Sequence, residues 1–177
     1  MSSAETQWRQ TSTLIGEAAA HLGGIDALVH LVGAFQWRPV EESTFADWRR
    51  LYAANVETGL STIQAALPHM ASGGAIVTVG AASAQPAGAG MTPYAAAKSA
   101  VARLSKALAE ELRPRGIRVN SVLPAIIDTP RNRADMPEAD PAKWTSPAAI
   151  ADAIYFLASP ASRAVNGADL EVGNGTR

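Results

Sequence analysis

The chain has 177 residues, 15 Lys and Arg against 16 Asp and Glu, 47% hydrophobic residues and no cysteine. That length suits one domain with a real core, and the composition excludes a disordered chain. The near-zero net charge excludes a sequence-wide basic field for nucleic acid or an anionic membrane, and the absent cysteine excludes disulfides, thiolate metal sites and a cysteine nucleophile.

The polar start MSSAETQWRQ carries no signal-peptide core. The longest apolar stretch, around residues 25–35, is too short to span a bilayer. These features predict a soluble, compact, cytoplasmic domain, with neither nucleic acid nor membrane as partner.

In chain order, Trp8, Ile15, Ala19 and Leu22 recur with helical spacing over residues 5–22, and Gly23-Gly24 stops that helix. Residues 25–33, IDALVHLVG, form a nearly continuous apolar run, the mark of a strand covered on both faces. Phe45, Trp48, Tyr52, Val56, Leu60, Ile63 and Leu67 predict one long helix ending near Pro68. A buried strand follows at 75–80, a helix at 94–113, a strand at 117–123, a helix at 147–159 and a weaker strand at 168–172. This alternation predicts a single α/β domain over residues 1–177, a Rossmann-like parallel sheet of about four strands with helices on both faces.

Ligands of such sheets bind beyond the carboxyl ends of the strands. Residues 33–39, 80–93, 124–144 and 173–177 leave those ends and are where chemistry is expected. Directly after the second segment Tyr94-Ala-Ala-Ala-Lys98 opens a helix and puts a phenol and an ammonium on one helix face. An ammonium and a helix N-terminus both favour phenolate, so the Tyr94 pKa is expected to fall and the residue to exchange protons near neutral pH. The spacing alone is equally that of a solvated Lys over a half-buried Tyr.

Context adds to it. Asn55 lies mid-helix in LYAANVETG, Tyr94 follows a buried strand and a small-residue loop, and a further strand runs into Pro124-Ala-Ile-Ile-Asp-Thr129. This ordered set resembles the short-chain dehydrogenase/reductase family over essentially the whole chain. The resemblance implies an NAD(P)-dependent oxidoreductase in which Tyr94 is the acid/base. Lys98 would tune Tyr94 and hold the nicotinamide ribose, and Asn55 would support a relay water. It implies NAD or NADP as cofactor, with Gly33, Lys98, Pro124 and Thr129 against it and no metal. It also implies a homodimer or homotetramer through the helices carrying Asn55 and Tyr94.

The segment from Asp128 to Trp144 looks like that of the dihydropteridine-reductase branch, which implies a pteridine, quinonoid or carbonyl substrate. Met136 and Trp144 offer apolar lid surface there, and Arg131 and Arg133 offer charge; an ordinary surface loop before the helix entry at Thr145-Ser146-Pro147 fits equally. Phe35 and Trp37 can stack on a flat substrate.

Three departures from the family pattern stand out. Ala81 occupies the position of the usual substrate-binding Ser, and Ser83 shares its face only if the strand runs on that far. His30-Leu-Val-Gly33 replaces the family's N-N-A-G, with His30 expected as a core residue. No glycine-rich phosphate loop follows a first strand, and Gly88-Ala-Gly90 is a decoy in the wrong loop.

The chain therefore reads as a family fold truncated at its N-terminus. Residues 25–33 would then be an exposed apolar edge, with one sheet face short of helix cover. That leaves an alternative: a catalytically silent protein serving as a dimerisation or interaction module.

Overall fold

The computed structural model describes residues 3–173, with side chains from Trp8 onward; positions 174–177 of the last expected ligand segment fall outside the described residues. Helix α1 (Ser3–Leu22) leads into strand β1 (Ile25–His30). Helix α2 (Phe45–Tyr52), a π-helical turn (Ala53–Glu57) and helix α3 (Thr58–Ala66) follow, then strand β2 (Met70–Val79). Helix α4 (Thr92–Glu111), strand β3 (Arg118–Pro124), helices α5 (Pro130–Asp135) and α6 (Pro147–Ala158) and strand β4 (Asp169–Val172) complete the order.

The four strands form one parallel sheet in sequential order, β1-β2-β3-β4. Neighbouring side chains on a strand point to opposite faces, so Ile76 and Val77 enter different cores. Ile76 and Val119 join Leu28, Ile63, Leu108 and Leu112 under α3 and α4. Val77 and Val122 join Ile150 and Leu157 of α6.

Two loops set the strand ends. Gly23 and Gly24 adopt φ of 79° and 142°, conformations that favour glycine, and turn the chain from α1 into β1. Gly116 at φ 69° turns it from the end of α4 toward β3. Arg118 fastens the exit of α6 by donating to the Leu157 carbonyl at 2.9 Å and to Ser162 Oγ at 2.8 Å.

Several expectations are corrected. Trp8 and Leu22 are exposed, because α1 packs on α3 through Ala19 and Ile15 rather than along the whole predicted stripe. The long helix from Phe45 is not continuous. The extra residue of its π-turn shifts the helical phase between α2 and α3: before the turn Leu51 is fully buried while Phe45 is 83% exposed, and after it Ile63 and Ala66 face the core. The short helix α5 lies where the periodicity predicts no helix; six residues are too few for a periodic signal, and Thr129 caps it through Asn132 N–H.

The apolar edge is present. Among the described residues β1 has one strand neighbour, and Val29, Leu31 and Val32 are exposed. Leu28 and His30 point toward α3, whereas Val29 points to the α6 side, where cover is thin.

Candidate active site

The site lies at the carboxyl ends of β1, β2 and β3. Its first anchor is Asn55, buried inside the π-turn. Widening a helix by one residue frees carbonyls that the regular ladder would occupy. Asn55 Nδ2 donates to Leu51 O at 2.9 Å and to Ala34 O at 2.9 Å, and Ala34 N–H donates back to Asn55 Oδ1 at 3.2 Å. The chain leaving β1 is thereby tied to the helix. Gly33 fits closely beneath: a Cβ there would lie 2.7 Å from Asn55 Oδ1 and 3.0 Å from Lys98 Nζ.

The second anchor is the first turn of α4. Tyr94 is half-buried and Lys98, one turn on, is buried. Lys98 Nζ donates to the Val79 carbonyl at 2.9 Å, so the ammonium is held by the end of β2. Burial pushes the Lys98 pKa down to about 8. Burial also raises the Tyr94 pKa, which corrects the expected fall: desolvation of the phenolate dominates. The Tyr94 hydroxyl has no hydrogen-bond partner among the described residues, which leaves it open to a substrate oxygen. Its ring meets Phe35 edge-on, centroids 4.8 Å apart.

His30 is buried beneath this group. The Thr58 hydroxyl gives its one proton to the Ala54 carbonyl at 2.8 Å, so toward His30 Nε2, at 3.4 Å, it can only accept. That places the imidazole proton on Nε2. Burial, then the Lys98 charge, lower the His30 pKa.

A third wall comes from residues 35–38 against the loop after β2. Trp37 Nε1 donates to Ala89 O at 3.0 Å and Arg38 N–H to Gly90 O at 2.7 Å. Gly90, at φ 75°, leaves the space that the Trp37 ring fills. Asp47 accepts from Thr44 N–H, Gln36 and Arg38 and caps α2. These bonds hold the Asp47 carboxyl at about 2.

The remaining expected residues are placed as follows. Ala81 is buried, and Ala82 N–H donates to Pro124 O at 3.0 Å, joining the loop to the end of β3. β2 stops at Val79, so Ser83 does not continue the strand face of Ala81 and is exposed in a turn. Pro124 closes β3, and Thr129 is occupied in capping α5. Met136 is half-buried at the end of α5. Trp144 is 6% exposed, which corrects its reading as lid surface: the bridge between Ile127 and Thr145 draws it into the fold. Arg131 and Arg133 are paired with Asp135 and Asp128. Among the described residues no cluster of three metal-ligating side chains occurs, and no helix is long and apolar enough to cross a membrane.

The site fits the ribose and nicotinamide end of a dinucleotide. Gly33 provides a cradle that a Cβ would fill, and Lys98 retains donors beyond the one given to Val79. A glycine-rich turn between a strand and a helix, which would hold the pyrophosphate, is not found among the described residues.

Residues 6–177 match a family model described as enoyl-(acyl carrier protein) reductase. The chain is 36% identical over 168 residues to a D-threitol dehydrogenase of Mycolicibacterium smegmatis, covering 89% of this chain and 65% of that protein. It is 37% identical over 176 residues to a cis-4-hydroxycyclohexanecarboxylate dehydrogenase of Sinomonas cyclohexanicum, covering 93% of this chain and 70% of that protein. The structure of a blue fluorescent protein from a metagenomic library, in complex with NADPH, superposes with a TM-score of 0.86 at 35% identity, over 95% of this chain and 71% of that one. The chain thus spans 65–71% of the length of these relatives. A short-chain dehydrogenase of Burkholderia cenocepacia, 29% identical with a TM-score of 0.82, is in complex with NADP, as the metagenomic protein is with NADPH. The sheet order, the Tyr94–Lys98 turn and these matches together establish that the chain belongs to the short-chain dehydrogenase/reductase family.

Proposed function

We propose that this chain carries the proton-transfer and substrate half of an NAD(P)-dependent oxidoreductase that interconverts an alcohol and a carbonyl compound. The observation that carries the reading is the Tyr94 hydroxyl, unbonded at the mouth of the site, with Lys98 fixed one turn below it by Val79. When bound, the nicotinamide supplies or accepts hydride. Every other part falls to the protein. Tyr94, protonated because burial raises its pKa, donates to the carbonyl oxygen in reduction and takes the proton back in oxidation. Lys98 and Gly33 orient the cofactor ribose. Asn55 holds the backbone at Ala34 open beside them, and Pro124 and Thr129 border the nicotinamide.

Phe35, Trp37 and Ala81 bound the substrate pocket, with Met136, Ser83 and Trp144 farther along the same segments. The name of the D-threitol relative supports an alcohol over the pteridine or quinonoid substrate suggested by the segment from Asp128 to Trp144. Exposed Phe45 and Tyr52 beside the helices of Asn55 and Tyr94 support a homo-oligomer there. The cysteine-free composition supports the cytoplasm.

The test is NADH- or NADPH-dependent reduction of small ketones by the full chain, compared with Tyr94→Phe. The expected loss in kcat is about 10²–10⁴-fold; equal rates for the two proteins would sink the assignment. A second reading, a silent interaction module, is favoured by the exposed β1 edge. A folded chain that binds neither nucleotide would select it.

A further inference from the structure

We infer that Thr78 and Ser105 fix where α4 sits along β2, and that Lys98 is positioned through them. Both act as positioning residues for the oxidoreductase reading above, on which the inference rests.

Three hydroxyls lie where the sheet is otherwise apolar. Thr78 shares a strand face with Ile76 on β2, and Ser121 with Val119 on β3, the face covered by α3 and α4. Ser105 meets them from α4. None of the three is more than 2% exposed. Thr78 Oγ1 lies 2.8 Å from Ser105 Oγ and 2.6 Å from Ser121 Oγ, and Ser105 Oγ donates to the Val101 carbonyl at 2.9 Å. Each hydroxyl has one proton. Ser105 gives its own to Val101, so Thr78 donates to Ser105 and Ser121 donates to Thr78. The bonds run one way, from Ser121 through Thr78 and Ser105 to Val101 O.

The middle bond joins helix to sheet. Among the described residues one other side-chain hydrogen bond links α4 to β2, that of Lys98 Nζ with Val79 O. The two strand residues, Thr78 and Val79, are consecutive. The two helix residues, Lys98 and Ser105, lie two turns apart on one face. Alanines at 95, 97, 102 and 109 form much of the buried face of α4, and a methyl group interlocks little with a strand. A hydrogen bond is directional and weakens steeply off its geometry. Ser105 on Thr78 therefore resists a slide of the helix that would carry Lys98 away from Val79. Ser121 on Thr78 adds no such restraint, because the β-ladder already sets these two residues side by side.

The experiment reads Lys98 directly. The chain has three lysines, so isotope-labelled lysine gives three Cε resonances by NMR, with that of Lys98 identified by its loss in Lys98→Met. In the parent, Lys98 is expected to titrate at about 8. His30, the neighbour that senses its charge, is already neutral there, since its pKa is lowered from 6.5, and Tyr94 titrates above 10.0. Ser105→Ala and Thr78→Val are expected to raise the Lys98 midpoint by about one pH unit, toward that of a solvated lysine. Thr78→Ser keeps the hydroxyl and should keep the parent midpoint. Ser121→Ala removes an equally buried bond on the other side of Thr78 and should leave the midpoint in place. An unmoved midpoint in Ser105→Ala overturns the inference, as does an equal shift in Ser121→Ala, the mark of a merely structural network. Should Thr78→Val fail to fold, Ser105→Ala carries the test, since alanine suits a helix interior. The titration needs neither cofactor nor turnover. A parent chain that reduces no ketone removes the oxidoreductase reading and leaves the seating of Lys98 to be decided by the midpoints. An active parent whose midpoint ignores Ser105→Ala does the reverse.

Discussion

The amide of Asn55 and the backbone of Ala34 exchange two hydrogen bonds, Nδ2 to O at 2.9 Å and N to Oδ1 at 3.2 Å. The pair mimics one rung of a β-ladder, but joins a helix to a loop. It sets the path of the chain past Gly33 and hence the floor on which Lys98 and Tyr94 act.

Removing that rung has a measurable cost. Asn55→Ala leaves the Ala34 N–H and C=O and the Leu51 carbonyl without their partner, and an unsatisfied buried group costs about 1–3 kcal/mol. The urea midpoint should fall with the slope unchanged. Asn55→Asp should fall further, because a carboxylate there faces two carbonyl oxygens. A midpoint unmoved in Asn55→Ala would show that the π-turn holds itself.

Gly33→Ala tests the same floor from the other side. Its Cβ would lie 2.7 Å from Asn55 Oδ1, which is fixed by the Ala34 N–H, and 3.0 Å from Lys98 Nζ, which can yield. Overpacking of this kind costs about 1–3 kcal/mol. Thermal melting should show the loss, and displacement of Lys98 should abolish any NADH fluorescence enhancement the parent chain gives.

Lys98 makes stability depend on alkaline pH. Its pKa falls from 10.5 to about 8 on folding. Below pH 8 both states are protonated and the burial penalty is fully present. Between about 8 and 10.5 the unfolded chain keeps the proton that the folded chain has lost, so stability rises with pH, by at most about 1.4 kcal/mol per unit. Tyr94, its pKa raised above 10.0, acts in the opposite sense only above that value. His30 is lowered from 6.5, so it subtracts stability as pH falls below 6.5. Urea midpoints of the parent and Lys98→Met from pH 7 to 10 should diverge, with the alkaline rise confined to the parent.

Gly90→Ala should release the aromatic wall. A Cβ at that position would stand 2.4 Å from the Trp37 ring, on a backbone at φ 75° that disfavours a side chain. Trp37 must leave Ala89, and residues 34–39 with it. Faster proteolytic cleavage in that segment, relative to the parent, is the expected result.

The β1 edge predicts self-association. Leu31 and Val32 are 66% and 60% exposed beside an outer strand, an arrangement prone to strand addition. Leu31→Lys should reduce light scattering at high protein concentration while shifting stability by no more than about 0.5 kcal/mol. Unchanged scattering would place the association elsewhere.

The alternation of apolar runs and amphipathic stretches determined the parallel sheet and its order of elements, because burial on two faces writes itself into consecutive residues such as Ile76 and Val77. The spacing of Tyr94 and Lys98 likewise placed both on one turn. Tertiary structure decided the rest. The π-turn under Asn55 carries no periodic signature, since one inserted residue only shifts the phase between two ordinary helices. The rise in the Tyr94 pKa depends on how deeply neighbours bury the phenol, and the helix end and ammonium visible in the sequence do not outweigh that burial. Trp144 reads as lid from its loop and lies in the core because Ile127 and Thr145 pair across it. The ion pair of Arg38 with Asp47 was equally out of reach, for it forms only when the chain leaving β1 turns back onto the start of α2.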